Sequence, residues 1–475
     1  MADLGHKAQR AAFSAAIDRV LKAVNKDREK AFLQLIDLSE KFLGDTFPKA
    51  SYESLRRLVC DEDSKWMKYI NTALDELSPH VVKTAALNLG FEAAFYGTKL
   101  TRKMREEHQC NIPWLILMDP TSACNLHCTG CWAAEYGHRL NLTYENLDSI
   151  ITQGKELGIY FYMYTGGEPL VRKKDLIRIC EKHYDCEFHA FTNGTLVDEE
   201  FCREMDRVGN LSLSISLEGF NEVNDLRRGE GVFDKVMRAM DLLKAHGQLF
   251  GTSICYTRAN INVVTSDEFL DMIIEKGCRF TWYFHYMPVG NEAAVDLLPT
   301  KEQREYMYHR VREIRSSTGG KPIYAMDFQN DGEFVGGCIA GGRNYCHINA
   351  NGDVEPCVFI HYSGANIHEC TLLEALKQPL FMAYRDNQPF NGNHLRPCPM
   401  LENPQILQQM VHDTGAKSTD LQSPESVEHL CAKCADYADA WKGSAEKLWG
   451  ENPHYKKNYT NYKKDISEKK SPAAP

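Results

Sequence analysis

Apolar positions recur at helical spacing through residues 1–110. "AFSAAIDRVLKAV" and "REKAFLQLIDLSEKFLG" each place apolar side chains three or four positions apart, and the second is expected to stop at Gly44. "SPHVVKTAALNLGFEAAFYGTKLTRKMREEH" opens with Ser78 as an N-cap and Pro79 at the first helical position. Its middle is strongly apolar and its end is basic, with Lys99, Arg102, Lys103 and Arg105. Two uses suit such a segment: packing on a core, or membrane-surface or lipid contact through 79–105.

The rhythm changes at Trp114. "WLILMDP", "YFYMYTGGEP", "EFHAFTNGT", "LSLSISLEG", "LFGTSICYTRAN" and "FTWYFHYMPVG" read as six strands, with amphipathic helical stretches between them. Regular alternation of this length predicts an α/β fold with a parallel sheet. Six units fall short of an eightfold barrel, so a partial (β/α)6 barrel is expected, with chemistry at the C-terminal ends of its strands. After about residue 320 regularity falls away and cysteines gather. The expected organisation is a helical region (1–110), a core barrel (111–320), a small cysteine-rich domain (321–450) and a flexible polar tail (451–475).

Composition narrows the class. A chain of 475 residues, 43% hydrophobic, has room for two or three domains. A net charge of −10 argues against a general nucleic-acid binder. Seventeen cysteines is many, and the number is odd. The N-terminus has no secretory pattern, and no apolar run reaches spanning length. Cytoplasmic metal or redox chemistry is therefore expected rather than a disulfide scaffold.

"TSACNLHCTGCW" (121–132) carries Cys124, Cys128 and Cys131 after the first strand, with no fourth cysteine nearby. Zinc would close a four-ligand site by adding His127 or His138. A [4Fe–4S] cluster held by three thiolates would leave one iron open. A third reading, three buried thiols without metal, fits a short polar loop poorly.

Cys-x3-Cys-x2-Cys followed by aromatic Trp132, together with "TGGEP" (165–169) after the second strand, resembles the radical S-adenosylmethionine (SAM) superfamily. The resemblance implies that the Gly166-Gly167-Glu168 motif contacts the SAM amino group: the glycines admit the ligand closely and the carboxylate meets the ammonium. It further makes Asn193 of "TNGT", Ser216 of "SISLEG" and Arg228 of "NDLRRGEG" candidates for polar contacts to SAM, with Arg228 on its carboxylate. An external electron donor of the flavodoxin or ferredoxin type is also implied.

"GGCIAGGRNYCHINANGDVEPC" looks like the auxiliary-cluster extension called SPASM, or its shorter twitch version. The full SPASM cysteine run is missing; only "RPCP" (Cys398) and "CAKC" (Cys431, Cys434) follow. At least one auxiliary [4Fe–4S] cluster is expected, with Cys338, Cys346 and Cys357 as three ligands and Cys398, Cys431 or Cys434 as the fourth. Cys370 begins a helix, where it packs or caps. Cys60, Cys110, Cys180, Cys186, Cys202, Cys255 and Cys278 carry no motif and are expected to be buried, inert thiols.

The resulting expectation is a radical SAM enzyme that abstracts hydrogen from a lipid, another small molecule or a peptide. The competing class is a non-catalytic iron–sulfur or zinc-binding electron-transfer protein, which would need neither the GGEP motif nor an open iron.

Overall fold

The computed structural model describes residues 4–24, 26–43, 49–133, 136–137 and 139–451. Gly44, His138 and the tail beyond residue 451 lie outside the described residues.

Nine strands form one sheet: β1 (Leu115–Met118), β2 (Phe161–Tyr164), β3 (Glu187–Thr192), β4 (Leu211–Ser216), β5 (Phe250–Tyr256), β6 (Phe280–His285), β7 (Tyr324–Asp327), β8 (Tyr345–Ile348) and β9 (Val354–Glu355). Their order is β7-β6-β5-β4-β3-β2-β1-β8-β9. Every pairing is parallel except β8 with β9. The first six strands fall where the apolar runs predict. The sheet then continues past residue 320, contrary to expectation. β7 extends one edge, and β8 returns to pair with β1 on the other. The cysteine-rich segment is thus welded to the strand that precedes the cysteine loop.

Local chemistry sets these elements. The return from the cysteine loop enters the helix Tyr144–Glu156 through a reciprocal cap: Thr143 Oγ1 accepts from Asn146 N, and Asn146 Oδ1 accepts from Thr143 N. Such a cap contributes about 1 kcal/mol. Strands buried on both faces read as continuous apolar runs, as in β2, where all four residues are buried. His189 on β3 is an exception inside the barrel. It sits between the hydroxyls of Ser212 and Ser214 at 2.9 and 2.8 Å, and burial drives its pKa down to about 3, so the ring is neutral.

The described elements of the N-terminal region are all helices. Its apolar segment becomes a π-helix, Ala86–Gly97. Leu87, Phe91 and Ala93 are buried there. Glu92, also buried, meets His6 Nε2 at 2.7 Å, and Asn88 donates to the Tyr184 and Cys186 carbonyls. Much of the apolar part of 79–105 is therefore covered by protein, while Arg102 and Lys103 at its basic end are exposed. Arg105, from its basic end, donates to the Ile112 and Arg343 carbonyls. No described helix is long and apolar enough to cross a membrane.

The C-terminal region is anchored through Arg304, which is fully buried. Its guanidinium reaches Glu402 at 2.6 Å, Asn330 at 3.0 Å and the Leu395 carbonyl at 3.2 Å.

Candidate active site

The loop after β1 and the loop after β2 are held backbone to backbone. Gly167 N donates to Thr121 O at 3.0 Å, and Glu168 N donates to Ala123 O at 2.8 Å. A Cβ on Gly167 would stand 2.2 Å from Ala123 O. Gly166 adopts φ +103°, and its Cβ would stand 2.6 Å from Thr121 O. The glycines are therefore required by the approach of the GGE turn to the cysteine loop itself, before any ligand is considered.

Glu168 is not a free carboxylate. Oε1 accepts from Leu170 N at 2.9 Å and Thr192 Oγ1 at 2.6 Å; Oε2 accepts from Asn193 N at 2.7 Å. Burial pushes its pKa up, while these hydrogen bonds favour the charged form. Its geometry adds a role the sequence did not suggest: it joins the ends of β2 and β3. Asn193 passes the connection on, donating to Asn125 Oδ1 at 2.8 Å between Cys124 and Cys128.

A pair of arginines closes the other side. Arg228 lies with Nη1 3.9 Å from Cys128 Sγ and its fork on Glu218 Oε1. Arg227 shares that oxygen at 2.7 Å and also donates from Nε to Thr129 O at 3.1 Å. Arg227, Glu218 and Cys255 were not singled out by sequence. The signal was available, since each lies at or just beyond the end of a barrel strand or in the "RRGEG" pair.

These residues enclose one cavity of about 180 Å3. Cys124, Cys128 and Cys131 line it together with Gly166, Gly167, Glu168, Asn193, Ser216, Arg227 and Arg228. The structure thus gathers every residue expected at the first cluster and at SAM. Burial pushes the Cys124 thiol up to about 11 and raises Cys131 as well. Thiols so placed need positive charge to ionise, and iron supplies it. Cys124 accepts Leu126 N at 3.4 Å, and Cys131 accepts a backbone N–H from Ala133. Three soft donors, two of them with a backbone N–H partner and the third beside Arg228, in a glycine-walled cavity, fit a [4Fe–4S] cluster with SAM. For zinc, His138 is outside the described residues, and among the described residues no three His, Cys, Asp or Glu side chains gather tightly enough for one ion.

Behind the loop lies a buried charged network. His347 on β8 places Nε2 2.9 Å from Asp119 and Nδ1 2.6 Å from Glu355. Tyr136 and Thr419 donate to the same Glu355. Trp132 stacks edge-on against His347, with ring centroids 5.9 Å apart.

The C-terminal cysteines divide. Cys338, Cys357 and Cys398 line a second cavity of about 550 Å3, whose walls include Trp282, Met326, Phe328 and Phe334. Cys346 does not join them. It alternates with Tyr345 and His347 on β8, so its thiol points to the opposite face, where it is wholly buried. Cys431 and Cys434 sit on the helix Val427–Glu451. Met287 and Phe359 line both cavities. Of the cysteines without a motif, Cys110, Cys180, Cys186, Cys202 and Cys278 are buried as expected. Cys60 is exposed, and Cys255 lines the first cavity.

Residues 118–280 match the radical SAM superfamily, and residues 338–399 match SPASM, an iron–sulfur cluster-binding domain. Mycofactocin maturase MftC of Mycolicibacterium smegmatis is 30% identical over 266 residues, 53% of this chain and 66% of the maturase. An AdoMet-dependent heme synthase of Methanosarcina barkeri is 25% identical over 309 residues, 59% of this chain and 87% of the synthase. The chain thus spans just under two thirds of the maturase's length. The crystal structure of Streptococcus suis SuiB bound to S-adenosylmethionine superposes with a TM-score of 0.53 at 16% identity, covering 84% of this chain and 92% of SuiB. At that identity the likeness is one of fold. The two domain matches, in this order and on these two cysteine-lined cavities, identify residues 118–280 as a radical SAM domain and residues 338–399 as a SPASM domain.

Proposed function

We propose that this chain binds a [4Fe–4S] cluster and SAM in the smaller cavity and acts on a substrate held in the larger one. Held by these residues, the cluster and SAM would supply the difficult chemistry, one-electron reductive cleavage of SAM with release of methionine and hydrogen-atom abstraction from substrate. The protein's own residues set the geometry. Cys124, Cys128 and Cys131 supply three thiolates. Glu168 and Asn193 fix the loops around the SAM amino end. Arg228 and Arg227 place positive charge beside Cys128 and beside the SAM carboxylate. Ser216 lines the wall facing them.

One observation carries the reading. A single cavity holds the three cysteines and the GGE turn, where an electron-transfer protein would need only the cysteines. Walls of Trp282, Met326, Phe328 and Phe334 favour an apolar or aromatic group as the part of the substrate that enters the larger cavity. The maturase and synthase relatives leave both peptide and small-molecule substrates in play. The electron donor is a flavodoxin- or ferredoxin-type protein.

The test is anaerobic reconstitution with and without the three cysteines of the loop after β1. A Cys124/Cys128/Cys131→Ala variant should lose about four irons per chain. SAM should change the EPR spectrum of the reduced parent and yield 5′-deoxyadenosine. A spectrum indifferent to SAM would overturn the assignment.

A further inference from the structure

The cysteine loop after β1 has two holders. The barrel grips its front half: the GGE turn bonds Thr121 and Ala123, Asn193 donates to Asn125, and Thr129 N donates to Arg227 O at 3.0 Å. The C-terminal region grips both of its ends. At the entrance, Asp119 N donates to Ile348 O of β8 at 2.9 Å, and Asp119 Oδ1 meets His347 Nε2 at 2.9 Å. At the exit, Tyr136 directs its hydroxyl between the two oxygens of Glu355, at 2.9 and 2.8 Å, and stacks on His361 with ring centroids 4.4 Å apart. His347 Nδ1 lies 2.6 Å from the same Glu355, so one carboxylate joins the two ends.

Trp132, the residue after Cys131, is caged between those ends. Its ring lies edge-on to the rings of Tyr136, His347, Phe359 and His361, at centroid distances of 6.2, 5.9, 6.3 and 6.0 Å. Three of these neighbours belong to the C-terminal region, so Cys131 is steadied from that side. Asp119, Tyr136, His347 and Glu355 are buried and line neither cavity. A ligand in those cavities would not meet them, and any effect they have on it passes through the loop. The entrance also bears on the GGE turn, since a Cβ on Gly166 would stand 2.8 Å from Asp119 Cβ. The stretch from β8 to His361 that holds the loop also carries Tyr345 and Phe359 into the larger cavity.

We infer that Asp119, Tyr136, His347 and Glu355 are positioning residues for the first cluster: by clamping both ends of the cysteine loop to the C-terminal region, they set where Cys131 stands against Cys124 and Cys128, and with it the affinity for SAM. Buried partners that orient metal ligands from behind act in this way. Asn349 at 3.0 Å and Thr419 also donate to Glu355, so the carboxylate stays anchored when one donor is removed. This rests on the proposed function only in assigning the first cluster to these three cysteines.

Tyr136 is the link to cut, because Glu355 then keeps His347, Asn349 and Thr419 and the fold survives. In the full-length chain, reconstituted anaerobically, Tyr136→Phe should keep its iron, bind SAM about tenfold more weakly and shift the EPR g values of the first cluster. Tyr136→Leu, which also removes the stack on His361, should do both to a larger degree. The first cluster's signal is the part of the reduced spectrum missing from the Cys124/Cys128/Cys131→Ala variant. Tyr162→Phe controls for lost stability alone: that hydroxyl is also buried, donates to the Ile151 and Ile159 carbonyls at 3.1 and 2.9 Å, and lines neither cavity. It should lower the melting temperature and leave SAM affinity and g values at the parent's. Loss of the first cluster's iron in Tyr136→Leu but not in Tyr162→Phe would make the same point more strongly. Parent-like g values or SAM affinity in both Tyr136 variants, or an equal shift in Tyr162→Phe, would overturn the inference. Failure of the proposed function shows in the parent instead, as a spectrum indifferent to SAM, while the g-value shift in Tyr136→Phe still reports the clamp.

Discussion

Glu168 Oε2 accepts the backbone N–H of Asn193 at 2.7 Å, which pins the turn after β2 to the turn after β3. Removing the carboxylate leaves that buried N–H unpaired, at about 1–3 kcal/mol. Glu168→Ala should therefore weaken SAM binding roughly ten- to hundredfold while iron content stays constant. Glu168→Gln should also fail, because an amide N–H2 at Oε2 would face the Asn193 donor. Equilibrium SAM titration beside iron analysis checks both. Full-rate formation of 5′-deoxyadenosine in Glu168→Ala would refute the role.

Gly167 and Gly443 make opposite predictions from the same substitution. A Cβ on Gly167 would meet Ala123 O at 2.2 Å, backbone against backbone, one residue before Cys124. Gly167→Ala should displace the cysteine loop and cost both SAM cleavage and part of the first cluster's iron. Gly443 lies inside the helix Val427–Glu451, and a Cβ there meets nothing within 4 Å. Gly443→Ala should stabilise the fold by about 1 kcal/mol and leave activity alone. Thermal unfolding and iron content on the two variants decide the matter.

These contacts show where sequence reading reaches and where it stops. The six barrel strands were legible because "LSLSIS" and its counterparts are apolar runs of strand length, bounded by turns. The cysteine loop and GGEP were legible because both sit directly after such runs. β8 was missed, although "YCHI" obeys the same alternation; read as a strand, it would have turned Cys346 away from Tyr345 and His347. Protein cover over much of the apolar part of 79–105 was hidden for another reason. A hydrophobic segment looks the same whether lipid or β2 and β3 will cover it. His347 and Asp119 lie too far apart in sequence for any local pattern to pair them.

That pair carries a pH prediction. Burial alone would lower the His347 pKa, but Asp119 and Glu355 on its two nitrogens outweigh it and raise the value to about 10. Both ring nitrogens face carboxylates, so both donate and the ring is charged at neutral pH. A folded pKa above the unfolded value of about 6.5 stabilises fully below that value, and the contribution is lost as pH rises through about 10. His347→Gln should destabilise by about 3–5 kcal/mol at neutral pH, because it leaves buried carboxylates without their cation. The difference in melting temperature between parent and variant should shrink as pH rises from about 6.5 to about 10 and level off above that. A constant difference from pH about 6.5 to 10 and beyond would mean the ring is neutral in the fold.

Arg228 offers a prediction read in millivolts. Its Nη1 stands 3.9 Å from Cys128 Sγ, so its charge favours the more negative, reduced state of a cluster held there. A charged contact worth about 1–2 kcal/mol corresponds to roughly 40–90 mV for a one-electron couple. Arg228→Ala should lower the midpoint potential of the first cluster by that order and slow SAM cleavage, with Arg227 still neutralising Glu218. Arg228→Lys keeps the charge but loses the fork on Glu218 Oε1, so it should restore most of the potential and less of the SAM affinity. EPR-monitored redox titration separates the two effects. If both variants share the parent's potential while SAM affinity falls, Arg228 serves the SAM carboxylate alone and has no electrostatic hold on the cluster.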